Sequence, residues 1–199
     1  MFHELNVWEE DGKVVADVAT ANGTALFPDE TGRRVTHRDT AQSLRRWTID
    51  PIGLSLTEET LNERDIQFPR PDDRLVTRKS RHAFANINLN SRDGRVEGMD
   101  AVLHYDTVHG TEDIHHFGAG ASAGEFVFAP RLGSTGEGDG YAMAIVHPAG
   151  SATSELAIFN ATDVAAGPIA RIEIPFRVPS GFHCNFYAAD SALYREAFA

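Results

Sequence analysis

The sequence predicts an all-β protein, on three observations. Apolar residues alternate with polar ones at a period of two, rather than 3.6, through most of the chain. The alternating runs are short, and clusters rich in Gly, Pro, Asp and Ser separate them. Runs recur about every dozen residues, the rhythm of antiparallel meanders, which build sandwiches, barrels or propellers. A four-stranded propeller unit takes about 40–50 residues. The 199 residues hold three to four such units, although no strict repeat is visible.

Residues 13–18 make the first strand, entered from the turn Glu10-Asp11-Gly12. Residues 44–50 alternate and stop at Pro51, whose ring cannot donate to a ladder. Strands follow over 82–87, 96–105, 112–117, 125–130, 141–147, 154–160 and 169–174. Between them lie the turn clusters Ser91-Arg92-Asp93-Gly94, Gly136-Glu137-Gly138-Asp139-Gly140 and Pro148-Ala149-Gly150-Ser151. Helix is scarce: residues 57–64 suit two turns, and Asp190 caps a short terminal helix through Phe198.

Composition narrows the function. Acidic residues outnumber basic ones 29 to 18, a net charge of −11. No Lys or Arg cluster offers a nucleic-acid backbone or an anionic membrane the charge it needs, so neither is an expected partner. The single cysteine, Cys184, excludes an internal disulfide and suits a reducing compartment. No apolar run reaches the 18 or so residues of a membrane span. Met1-Phe2-His3-Glu4-Leu5 has neither the basic nor the apolar region of a secretory leader. The expected location is therefore the cytoplasm, and Asn22-Gly23-Thr24 and Asn160-Ala161-Thr162 read as turns rather than glycosylation sites.

Among nine histidines, His183 stands out. It follows Val178-Pro179-Ser180-Gly181-Phe182, a Pro/Gly turn that aims an imidazole at little entropic cost, as a metal ligand requires. The adjacent His115 and His116 point to opposite faces of a strand, while His37, His82, His104, His109 and His147 read as surface or strand-end residues. Cys184 is a packing residue whose thiol pKa its His183 neighbour could lower. The run 118–124 resembles a phosphate loop but has no following helix or Lys, and reads as a long hairpin connection. The pairs Glu9-Glu10, Glu58-Glu59 and Asp72-Asp73 read as solvated turns, and Gly-x-Ser-x-Gly is absent. No residue is assigned as a catalytic acid, base or nucleophile.

Several segments, in order from end to end, resemble the carotenoid cleavage oxygenase family. They are Phe2-His3-Glu4-Leu5-Asn6-Val7-Trp8-Glu9-Glu10, Arg45-Arg46-Trp47, Phe68-Pro69-Arg70, Glu125 to Arg131, Gly136 to Tyr141, Ser154 to Ala161, and Ile174 to His183. The Trp8-Glu9-Glu10 and Arg46-Trp47 segments resemble its bacterial branch of apocarotenoid and lignostilbene enzymes. The resemblance implies a seven-bladed β-propeller holding a non-haem Fe(II) by four histidines, with O₂ cleaving a conjugated double bond of a carotenoid, apocarotenoid or stilbene. On the matching positions His3 and His183 become the third and fourth metal ligands. Glu125 becomes the carboxylate that receives the free ring N–H of His183. Gln67 stands where the family has a carboxylate, so it can accept from His3 without supplying charge. Cys184 replaces a usual glycine.

The first two ligands have no counterpart here, so residues 1–199 are expected to be the C-terminal part of the propeller domain, an incomplete propeller in this chain. The leading expectation is an Fe(II)-dependent dioxygenase represented by that part, its isolated chain inactive. The alternative is a truncated, inactive fragment acting as an interaction or complementing chain. The expected partners are O₂, an apolar conjugated substrate, and a missing N-terminal portion or complementing polypeptide. Phe126, Phe128 and Phe182 are candidates to line the substrate path or, on the bland reading, to pack a core.

Overall fold

The computed structural model describes residues 1–23, 27–28, 30–33, 40–89, 99–192 and 195–196. They form three antiparallel meanders. Sheet 1 runs β1 (His3–Glu10), β2 (Lys13–Thr20), β3 (Ser43–Asp50) and β4 (Ser55–Asn62). Sheet 2 runs β5 (Ile66–Arg70), β6 (His82–Ile87), β7 (Ala101–Asp106) and β8 (Thr111–His116). Sheet 3 runs β10 (Val127–Pro130), β11 (Gly140–His147), β12 (Ser154–Asn160) and β13 (Ala170–Ile174), with the two-residue β9 (Ser122–Ala123) also paired to β11. The all-β expectation holds.

Local chemistry accounts for the meanders. Asp11 and Gly12 both take positive φ between the paired residues Glu10 and Lys13, the two-residue turn whose twist matches that of its strands. Sheets 1 and 2 close around Leu5, Leu44, Ile66, Ile87 and Leu103. Sheets 2 and 3 close around Phe84, Phe126, Phe128, Val146 and Phe159. In each sheet the last strand is the most exposed, while β1 and β5 pack on each other, so the first strands lie innermost.

Several expectations need correction. Residues 57–64 are not helical: 57–62 belong to β4, paired along β3 from Arg45↔Thr60 to Asp50↔Ser55. This outermost strand is wet on both faces, so it carries no alternation to read. Phe126 and Phe128 are buried in the core between sheets 2 and 3, as the packing reading has it, and Phe182 is 79% exposed beside His183. The run 118–124 is not a hairpin connection, since it contains β9 and leads from sheet 2 into sheet 3. Asp72 is not a solvated turn residue: it is buried, pairs with Arg74 and accepts from the Arg74 N–H at the one-turn helix Asp73–Leu75. Glu58 and Glu59 lie within β4, and Glu9 and Glu10 end β1.

Val96 to Gly98 of one expected strand, the turn 91–94, His37, Thr24 and residues 193–194 and 197–198 of the expected terminal helix lie outside the described residues. Among those described, no helix is long and apolar enough to cross a membrane.

His104 and His147 are buried rather than at the surface. Nδ1 of His82 and Nε2 of His104 are 2.8 Å apart, and His104 stacks on Phe84. Burial, then the neighbouring His82, pulls His104 down to about 4. The unfolded chain therefore binds a proton below about 6.5 that the folded chain refuses until about 4. Stability falls across that window on acidification, by about 3 kcal/mol from this residue at about 1.4 kcal/mol per pKa unit. Urea titrations from pH 7 to 4 should show a shallower loss in His104→Gln than in the unmodified chain. Parallel curves would remove His104 as the cause.

Candidate metal centre

Each innermost strand is irregular beside a residue of the cleft. In β1 the register against β2 slips between Glu4 and Asn6, and the extra residue re-aims the strand's start, where His3 sits opposite Ala19. In β5 it slips between Gln67 and Arg70 against Asn86 and Phe84 of β6. Within that bulge Phe68 holds φ +50, a costly conformation for a bulky residue. In sheet 3 the innermost strand breaks between β9 and β10, both of which pair with β11, and Glu125 occupies the break.

These irregularities gather side chains from distant parts of the sequence around a cleft of about 490 Å³. His3, Phe68, Arg70, Glu125 and His183 line it. The ring centroids of His3 and His183 are 6.1 Å apart, and Phe68 contacts both, at 5.1 and 5.5 Å. His183 comes from the irregular segment after β13 and is largely exposed. Its Nδ1 lies 3.4 Å from Glu125 Oε1, and the Cys184 N–H donates to Glu125 Oε2. Arg70 donates to Glu125 at 3.3 Å, to the Cys184 carbonyl at 3.4 Å and to Asn185 Oδ1 at 2.9 Å.

Burial, then the nearby His183, lowers the His3 pKa, while the Gln67 side chain, accepting from the ring, pushes the other way. Gln67 also accepts from Gln42 Nε2 at 2.7 Å, so its oxygen is shared. Burial, then Glu125, pushes the Cys184 thiol up, which overturns the expectation that His183 would lower it. The structure thus brings His3, His183, Gln67 and Glu125 to one place. Arg70, quoted only as part of a motif, emerges as the cation that joins Glu125 to the chain after His183. Apart from the nearby Asp73, its partners lie 55 to 115 residues away, beyond the reach of any local pattern.

The donor set suits a metal ion in one respect above all. Nε2 of His3 is buried with no hydrogen-bond partner, an expensive state for a polar atom unless something is meant to bind it. With Glu125 on Nδ1, His183 has its Nε2 left to coordinate. The 6.1 Å between rings also lies inside the roughly 6.5 Å limit for two imidazoles on one ion at metal–nitrogen distances of about 2.1 Å. Among the described residues, no group of three or more His, Cys, Asp or Glu could hold a metal unaided.

The retinal pigment epithelial membrane protein family model matches residues 1–188. The chain belongs to this family, the carotenoid cleavage oxygenases. It is 29% identical to apocarotenoid-15,15′-oxygenase of Synechocystis over 185 residues, covering 92% of this chain and 37% of that protein. It is 32% identical to lignostilbene-α,β-dioxygenase isozyme III of Sphingomonas paucimobilis over 198 residues, covering 92% of this chain and 40% of that protein. A crystal structure of cobalt-substituted Synechocystis apocarotenoid oxygenase superposes with a TM-score of 0.81 at 28% identity, over 92% of this chain and 38% of that one. This carotenoid cleavage oxygenase chain therefore spans well under half the length of the relatives it matches.

Proposed function

We propose that this chain supplies part of a non-haem Fe(II) dioxygenase that cleaves a conjugated C=C bond of a carotenoid, apocarotenoid or stilbene, one O₂ converting one alkene into two carbonyls. The observation that carries the reading is the buried, partnerless Nε2 of His3 beside a His183 ring held by Glu125. Family membership supports it, as do relatives named for apocarotenoid and lignostilbene oxidation. A neighbour described as cobalt-substituted supports the presence of a metal.

His3 and His183 bind the ion through neutral imidazoles, good ligands for Fe(II). Glu125 receives the His183 Nδ1 proton, which fixes the tautomer and orients the ring, and its charge offsets part of the metal's. Gln67 does the same for His3 without charge. Phe68, against both rings, restricts water and gives a conjugated substrate an apolar wall. The iron, when bound, allows triplet O₂ to react with a singlet alkene.

Two histidines leave the coordination shell unfinished, so further polypeptide completes it, together with a seven-bladed propeller. Three sheets occupy about 38% of the matched structure, which leaves room for several more of the same size. Sheet 1 also leaves Val7, Ile49 and Leu56 exposed, Ile49 and Leu56 being cross-strand partners, which is the kind of surface a neighbouring sheet covers. A second reading, an inactive fragment or complementing chain, is favoured by the same count of two histidines.

The test incubates the chain with Fe(II), ¹⁸O₂ and either a stilbene or an apocarotenal, alone and with the portion of a lignostilbene dioxygenase that it does not match. Aldehyde labelled from ¹⁸O₂ is expected only from the mixture. Product from the chain alone would show that two ligands suffice. No product from either, with no Fe(II) bound, would leave the inactive reading.

A further inference from the structure

We infer that Asn86 is a positioning residue for this centre: it brackets the backbone on both sides of Glu125, and through Glu125 it determines where His183 sits. This goes beyond the two ligands and the carboxylate already described. It takes its purpose from the proposed metal site but not its geometry.

Where the innermost strand of sheet 3 breaks, the Gly124 N–H still donates to the Ile145 carbonyl of β11, while the Gly124 carbonyl and the Phe126 N–H face sheet 2. Asn86, the penultimate residue of β6 and fully buried, reaches across from sheet 2 and satisfies those two groups. Its Nδ2 donates to the Gly124 carbonyl at 2.8 Å, and its Oδ1 accepts from the Phe126 N–H at 3.0 Å. One carboxamide thus acts as a short surrogate strand. A buried asparagine amid Phe84, Ile87 and Val102 would be costly if its amide were idle, and here both ends are used.

Glu125 is the residue between those two contacts. With its backbone pinned on either side, its buried carboxylate has few directions to take. The one it takes meets Arg70, His183 Nδ1 and the Cys184 N–H. The segment 182–188 belongs to no strand, and the His183 side chain is 60% exposed. The Glu125 carboxylate and Arg70, which also bonds the Cys184 carbonyl and Asn185 directly, tie the segment to the cleft. In the β5–β6 register Asn86 also stands opposite Gln67, the residue beside His3, so one strand pair supports both histidines.

The test uses the whole chain as Asn86→Asp, Glu125→Gln and the double variant. Asp keeps the acceptor for Phe126 but loses the donor to Gly124. Hydrogen–deuterium exchange is followed in the peptide spanning 182–186, with the amides of β11 as an internal measure of global opening. Each single variant is expected to speed exchange of the Cys184 amide by about tenfold or more. The double variant should be no faster than Glu125→Gln alone, since Asn86 acts through Glu125. Co(II) binding measured by calorimetry should weaken by about 10–100-fold in each.

Unchanged Cys184 exchange in folded Asn86→Asp, or additive acceleration in the double variant, overturns the inference. Should Asn86→Asp not fold, Asn86→Ser takes its place and the same two results decide. If the unmodified chain binds no Co(II), the metal reading loses its support, and the exchange data still decide the role of Asn86.

Discussion

Phe84→Ala is expected to cost the chain about 3–5 kcal/mol of stability, the range for truncating a fully buried phenylalanine. Phe84 has no exposed surface. Its ring stacks on Phe128 at 5.1 Å, meets Phe126 edge-on at 6.3 Å and stacks on His104 at 5.5 Å. The ring therefore fills the seam between sheets 2 and 3, and its loss leaves a cavity that two rigid sheets cannot collapse to fill. Against a total of about 5–15 kcal/mol for an ordinary domain, that is a large fraction. The consequence reaches the site, because the same seam carries Asn86 and the break at Glu125. Urea denaturation followed by tryptophan fluorescence checks the figure. A loss below about 1 kcal/mol would mean that the sheets repack freely and that their seam does not fix the cleft.

The contrast between what could and could not be read in the sequence follows from the physics of each element. Strands 82–87 and 154–160 match β6 and β12 residue for residue: β6 is a short, almost wholly buried run bounded by polar residues, and β12 keeps part of an alternation between core and solvent. β1 lacks that pattern, since Asn6 is buried, bonding to the Leu75 and Arg78 carbonyls, while Val7 is exposed. β5 is short, bulged and carries Pro69, all of which erase a period of two. β4 is exposed on both faces and its Glu-Glu pair imitates a helix surface.

The site divides in the same way. His183 drew notice from its local Pro/Gly turn, but its pairing with His3 came only from a family resemblance, because 180 residues separate the two. Asn86 and Arg70 gave no local signal at all. A buried amide in a strand and an arginine after a proline become meaningful only when the third sheet brings Glu125 to them.

His3→Phe should separate the cost of the centre from its use. In the metal-free chain the substitution is expected to raise stability by about 1 kcal/mol, because removing a buried nitrogen that has no partner outweighs the bond lost to Gln67. The new ring keeps aromatic contact with Phe2 and Phe68, which already sit 4.9 and 5.1 Å from the imidazole. With Co(II) present the order reverses. The unmodified chain gains stability by mass action, about 2.7 kcal/mol at a hundred times its dissociation constant, and the variant gains none. Paired thermal melts with and without Co(II) check both signs in one experiment. A variant less stable than the parent without metal would mean that the His3 nitrogen is satisfied in solution. One that still responds to Co(II) would assign the metal to other residues. Both signs together would identify a polar atom kept at a loss to the fold because a ligand needs it.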